Sequence, residues 1–184
     1  EMYFKTHDAD GVSFDPIVAI GENSSIPHWV PGDRKVEMAD PILIDMGCVY
    51  KGYCSDMTRT IFMGCILEEI KPVYDLALKN LELSTKEITD GYTIKTAANM
   101  VESDFKVNGY NLIHALGHGV GLEVHELPYI RLKNEAIFKE NMVIADEPGI
   151  YLPGKYGIRI EDTLLVTKDG SERLTKSERG YVVI

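Results

Sequence analysis

Carboxylates set inside apolar, strand-like runs constrain this chain more than any other feature. Asp45 follows Leu43-Ile44, Glu147 follows Val143-Ile144-Ala145-Asp146, and Glu161 follows Ile158-Arg159-Ile160. Burying an ionised carboxylate costs several kcal/mol unless a cation meets it, so the fold must supply either arginine or metal wherever these residues turn inward. Asp56, in Ser55-Asp56-Met57-Thr58-Arg59-Thr60, joins the group through a hairpin. The β-rich runs 42–50 and 53–63 are separated by Lys51-Gly52, a two-residue loop signal. That loop sets Asp45 opposite Thr58, with Asp56 its diagonal same-face neighbour at roughly 7–8 Å between Cα positions. Two purely structural readings compete: surface aspartates with one caught by Arg59, or an ion pair from Arg159 to Glu147 or Glu161.

The second feature is His114-Ala115-Leu116-Gly117-His118-Gly119-Val120-Gly121, followed by His125-Glu126-Leu127-Pro128. Glycines on both sides of His118 let the backbone approach a ligand or another strand closely. The spacing is not that of a phosphate loop, and there is no HExxH. Four carboxylates with one imidazole form a donor set dominated by hard oxygen, which suits manganese or magnesium better than thiolate-bound zinc. Two such ions about 3.5–4 Å apart can hold one water, lower its pKa and polarise a carbonyl, so amide hydrolysis is the expected chemistry.

Around these motifs the pattern is that of one mixed α+β domain. Residues 1–35 read as irregular with a single strand at Ile17–Ile20. Periodicity predicts a helix over 67–89, with Pro72 in its first turn, and a second from a Thr93 cap to Val107. Strands are expected at 142–145, 149–152 and 157–167, with a turn at Pro153-Gly154. The net charge of -10 argues against a nucleic-acid partner. No apolar run approaches the roughly 18 residues of a membrane span, and the first residues lack a signal-peptide layout. Three cysteines, Cys48, Cys54 and Cys65, are an odd number and fit a reducing, cytoplasmic setting, with Cys54 expected as a small buried core residue.

Taken together, these motifs resemble the pita-bread metallopeptidases (the creatinase and aminopeptidase fold), in their aminopeptidase P and prolidase branch. The resemblance runs from Ser13-Phe14-Asp15-Pro16-Ile17-Val18-Ala19 and Pro27-His28 to Glu147-Pro148-Gly149-Ile150-Tyr151 and Arg159-Ile160-Glu161-Asp162. It implies two divalent metal ions, Mn2+ with Co2+ or Zn2+ as alternatives, held by Asp45, Asp56, His118, Glu147 and Glu161, with Asp56 and Glu161 bridging. A metal-bridging hydroxide would attack the peptide bond that precedes proline, and Glu147 would exchange its proton. His114 and His125 would steady substrate and intermediate, and His28 would line the pocket. Arg159 and Tyr151 would hold an aspartate ligand in place. The implied partner is a peptide with proline at its second position, and the implied full-length protein is a homodimer whose first helices and strand precede this chain. A methionine aminopeptidase shares the five ligands; another C–N hydrolase, or a peptide-binding platform without turnover, could also use the scaffold.

Overall fold

The computed structural model describes residues 2–184. In chain order the elements are α1 (Met2–Thr6), β1 (Gly11–Val12), β2 (Ile17–Ile20), a 3-10 turn (Gly21–Ser25), β3 (Pro41–Met46), β4 (Cys48–Tyr50), β5 (Tyr53–Cys54) and β6 (Met57–Phe62). They continue with α2 (Lys71–Glu87), α3 (Ile94–Val107), β7 (Gly117–Gly119), β8 (Glu126–Ile130), β9 (Val143–Asp146), β10 (Gly149–Leu152), β11 (Tyr156–Arg159), β12 (Asp162–Thr167) and β13 (Gly170–Arg173). The amino-terminal region is therefore more ordered than the sequence suggests, and Glu1 lies outside the described residues.

Lys51 and Gly52 take φ of 50° and 80°, the left-handed pair that a tight type I′ hairpin loop needs. The register they impose runs through Tyr50↔Tyr53 and Val49↔Cys54 to Met46↔Met57 and Asp45↔Thr58. The arms do not remain in one sheet, however. Near the tip β4 pairs with β5 and β1, whereas β3 pairs with β6 and β2. Asp56 lies at this change of sheet rather than within a ladder. Cys54, next to it, is half-buried rather than a core residue, because β5 is a short edge whose backbone N–H reaches Gly121 O at 2.8 Å.

The same break recurs in the carboxy-terminal half. The expected strand over 157–167 divides into β11 and β12, which belong to different sheets, and Glu161 occupies the joint. Glu147 sits likewise between β9 and β10. Strands β13-β12-β9-β7-β8 form one antiparallel sheet, and α2 and α3 cover one of its faces. Alternation along these strands sorts the side chains. Leu164, Val166, Ile144 and Ile130 point toward Val73, Ala77, Leu81, Ala97, Val101 and Phe105 of the helices, forming the main core. The register His118↔Ala145↔Thr163 then places those residues on the opposite face. Glu147 and Glu161 continue that face past the strand ends.

The helices fall inside their expected spans. Pro72 occupies the first turn of α2, where its missing N–H leaves no bond unmade. Thr93 stands at the start of α3 but its hydroxyl makes no capping bond. The neighbouring segment 134–136 accepts from Ile94 N and Lys95 N instead, at 2.9 and 3.0 Å. Arg59 decides against the competing reading in which it catches a surface aspartate. It pairs with Asp162 at 2.7 Å and donates to Glu161 O at 2.5 Å, so it clamps the β11–β12 joint and catches neither Asp45 nor Asp56. No helix among the described residues is long and apolar enough to cross a membrane.

Candidate metal centre

Two sheet faces meet at the centre: the Asp45 side of the β3–β6 pair and the helix-free face of the five-stranded sheet. Donor oxygens of Asp45, Asp56 and Glu161 lie within 4.8 Å of one another, as do donor atoms of Asp56, His118 and His125. His118 Nε2 is 3.6 Å from Asp56 Oδ2 and 3.7 Å from Glu147 Oε1. Close packing of β7 makes this possible. A Cβ on Gly117 would lie 1.9 Å from Ala145 O and one on Gly119 2.5 Å from Leu127 O, so only glycine lets β7 run this tightly between β8 and β9.

The protonation states sharpen the picture. The Nδ1 of His118 is 3.0 Å from Gly119 O, and a carbonyl only accepts, so Nδ1 carries the proton and Nε2 presents a lone pair. Burial lowers the His118 pKa to about 4, so the ring is neutral near pH 7 and its contacts with Asp56 and Glu147 are not ion pairs. Burial, then the neighbouring Asp45 and Glu147, push Asp56 up to about 9. Glu147 is raised to about 8, chiefly by burial, and Glu161 well above the usual range by burial and by Asp56. Buried oxygens Asp45 Oδ1 and Asp56 Oδ1 have no hydrogen-bond partner. An imidazole lone pair and several carboxylate oxygens thus face one another across a few ångströms, and two of those oxygens accept from nothing. Divalent cations supply the missing charge, so the donor set fits the metal ions that the sequence implies.

Arg159 offsets part of this charge from one side only. Its Nη2 pairs with Asp45 Oδ2 at 2.6 Å, its Nε donates to Thr58 Oγ1 at 3.0 Å, and Glu147 Oε2 is 3.9 Å away. The principal partner is therefore Asp45 rather than Glu147 or Glu161. Arg159 Nη1 donates to Tyr151 Oη at 2.8 Å, and that hydroxyl lies 2.9 Å from His114 Nε2. Because His114 Nδ1 faces Ala115 O at 2.7 Å, the Tyr151 hydroxyl is the donor to Nε2, and the chain Arg159–Tyr151–His114 has one direction.

A cavity of about 350 Å³ opens on these groups. Asp45, Asp56, His114, His118, His125, Glu147, Arg159, Glu161 and the exposed His28 all line it. Tyr151 does not, and acts only through its two hydrogen bonds. Nine of the ten residues expected at the site thus line the cavity, and Tyr151 stands behind it, bonded to His114 and Arg159. His125, expected to steady the substrate, lies with its ring centroid 4.3 Å from that of His118. Three residues went unremarked as site residues. Thr58 Oγ1 donates to Glu161 Oε2 at 2.6 Å, and the Asp45↔Thr58 register already contained that signal. Tyr129 and Arg131 also line the cavity, and their alternate spacing after Pro128 was the available clue.

Tyr151→Phe tests the hydroxyl link. It is expected to cost about 1–2 kcal/mol in urea unfolding, since a buried arginine and histidine each lose a partner, while metal content stays unchanged.

Comparison with known proteins agrees with this geometry. Residues 1–168 match the model of metallopeptidase family M24. The chain is 42% identical over 181 residues to the Xaa-Pro dipeptidase of Pyrococcus furiosus, covering 97% of this chain and 52% of that protein. It superposes on the X-Pro aminopeptidase of Thermotoga maritima with a TM-score of 0.97 at 40% identity, covering all of this chain and 53% of the other. The Xaa-Pro dipeptidase of Bacillus anthracis gives a TM-score of 0.97 at 36% identity, with coverage of 100% and 52%. The chain therefore spans about half the length of these relatives. The mixed α/β architecture is the pita-bread fold, and the chain belongs to metallopeptidase family M24, in its prolidase branch.

Proposed function

We propose that this chain carries the catalytic centre of a two-metal peptidase that cleaves the bond preceding proline. The observation behind this reading is the cluster of partnerless carboxylate oxygens facing the His118 lone pair. Asp45, Asp56, His118, Glu147 and Glu161 would hold two divalent ions, and a donor set of four carboxylates and one imidazole favours manganese. Bound ions of this kind lower the pKa of a water and polarise a carbonyl. Glu147 has the most solvent-open carboxylate of the salt-bridged donors at the centre, with a side chain 18% exposed. In this reading it accepts a proton at Oε1 or Oε2 and returns it to the leaving proline nitrogen. Arg159 fixes Asp45, and the Tyr151 hydroxyl fixes His114 with its Nδ1 protonated. His125 and His28 flank the opening, where they orient the peptide. The preference for proline rests on the names of the relatives, and the three unpaired cysteines are consistent with a cytoplasmic setting.

The test is metal content per chain after dialysis against manganese, joined to hydrolysis of Ala-Pro and Ala-Pro-Gly. Two ions with turnover support the proposal, whereas absence of bound metal overturns it and favours a peptide-binding platform. His28→Ala is expected to leave metal content unchanged and lower turnover roughly tenfold, as loss of one positioning group does. Loss of metal in that variant would place His28 among the ligands.

A further inference from the structure

Asp56 and Glu161 come from opposite halves of the fold, yet one segment reaches both. Among the described residues that line the metal-centre cavity, none comes from 174–184. That segment runs past the β11–β12 joint and along the edge of β6, where Phe62 N donates to Val182 O and Ile184 N to Phe62 O, each at 2.9 Å. Tyr74 of α2 donates its hydroxyl to Arg179 O and Gly180 O at 2.9 and 3.0 Å, so the segment is held by a strand and a helix together.

The connection to Glu161 is the buried Arg59. Its Nε donates to Glu178 O at 2.7 Å, and its Nη2 to Ser177 O at 3.1 Å and Asp162 Oδ1 at 2.7 Å. Its Nη1 donates to Thr58 O at 2.8 Å and Glu161 O at 2.5 Å. Arg179, from the segment itself, pairs with the second oxygen of Asp162. One planar guanidinium thus joins the segment to the Glu161 backbone, a span that a lysine ammonium does not cover. The connection to Asp56 is Thr163. Leu174 N donates to Thr163 O at 2.9 Å, Thr163 N donates to Thr175 Oγ1 at 2.9 Å, and Thr163 Oγ1 donates to Asp56 O at 2.7 Å. Both carboxylates stand where strands change sheet, and the carbonyl of each accepts from one of these side chains.

Resting on the two-metal reading above, we propose that Arg59, Arg179 and Thr163 are positioning residues through which segment 174–184 sets the spacing of Asp56 and Glu161, the two carboxylates expected to bridge the ions. Manganese affinity then depends on a segment that supplies no ligand. The physical reason is the narrow tolerance of a bridge. Ions about 3.5–4 Å apart share a carboxylate only while its oxygens stay within about 0.5 Å of the productive geometry.

The experiment measures manganese binding by calorimetry, the coupling within the loaded pair by electron paramagnetic resonance, and the metal-free melting temperature. The proteins compared are the parent, Arg59→Lys, Arg179→Gln and Val101→Ala. Arg179 is 21% exposed, so glutamine there removes the Asp162 pair with little disturbance of packing, and Val101→Ala loosens the core on the helix side of the sheet. Both arginine variants are expected to bind manganese roughly 10–100-fold more weakly, as when an indirect partner of a metal ligand is removed, and to show weaker coupling between the ions. Val101→Ala is expected to lower the melting temperature while affinity and coupling stay at parent values. Arg179→Gln decides alone if Arg59→Lys does not fold. Parent affinity in Arg179→Gln, or an affinity loss in Val101→Ala that matches it, would overturn the clamp and leave the peptidase reading intact. A parent chain that binds no manganese overturns both.

Discussion

Glu161→Gln is expected to abolish binding of the metal pair and lower turnover by roughly a hundredfold or more, since even indirect partners of metal ligands cost 10–100-fold when removed. The same substitution is expected to raise the melting temperature of the metal-free protein. Both follow from one geometry. Glu161 is buried, accepts from Thr58 Oγ1 at 2.6 Å, and donates its backbone N–H to Thr58 O at 3.1 Å, so its carboxylate is held in place whether or not a cation is present. Burial, then Asp56, Asp45 and Glu147, oppose its ionisation, and Arg159 only partly offsets them. A neutral amide keeps the volume and the Thr58 bond and removes the cost of burying this carboxyl, which must otherwise take up a proton on folding, and each 1 kcal/mol recovered raises the midpoint by about 2–4 °C in a chain of this size. Metal analysis and thermal melts in chelator check the two halves separately. Full metal content in the variant would remove Glu161 from the donor set, and a lower metal-free melting temperature would show that the buried carboxyl does not limit stability there.

Local rules made much of this legible in the sequence. The Lys51-Gly52 loop set the register of Asp45 against Thr58, because a two-residue hairpin loop admits a single pairing. Helical periodicity located α2 and α3, and chemical type alone identified carboxylates that a core would not accept without cations. What local patterns do not carry is where a strand leaves one sheet for another. Asp56, Glu147 and Glu161 all lie at such joints, where a side chain can turn away from its ladder toward a residue distant in sequence. Nor could local pattern supply the partner of Arg59, because Asp162 comes from the opposite half of the fold. The short strand β7 escaped because glycine carries little β signal, although close interstrand contact is what its glycines provide, and β8 escaped because Pro128 interrupts it. Grouping of the ten site residues came through the family resemblance, which joined motifs that no local rule connects.

The metal-free protein should lose stability as pH rises from 6.5 to 9, and manganese should reverse most of that loss. Asp56 is raised to about 9 and Glu147 to about 8, so in this window the unfolded chain has already released these protons while the folded chain still holds them. The folded state then binds more protons than the unfolded state, and unfolding free energy falls with pH until the folded pKa values are passed. His114 and His118, both lowered to about 4, act in the opposite sense, but only below their unfolded value near 6.5. Above that value the carboxylates act alone, and a loss of a few kcal/mol corresponds to a fall of about 10 °C in the melting temperature. Saturating manganese binds the ionised forms, so its stabilisation grows with pH and opposes the decline. A residual downward slope is expected even then, because Asp146 is raised to about 8 by burial, donates nothing to the centre, and meets Ser84 Oγ at 2.7 Å on the helix side of the sheet. Asp146→Asn should flatten that residue of the slope in the loaded protein without changing metal content. A metal-free protein whose melting temperature is level or rising between pH 6.5 and 9 would mean that the carboxylates are ionised without cations, and the case for a metal centre built on their mutual repulsion would fail.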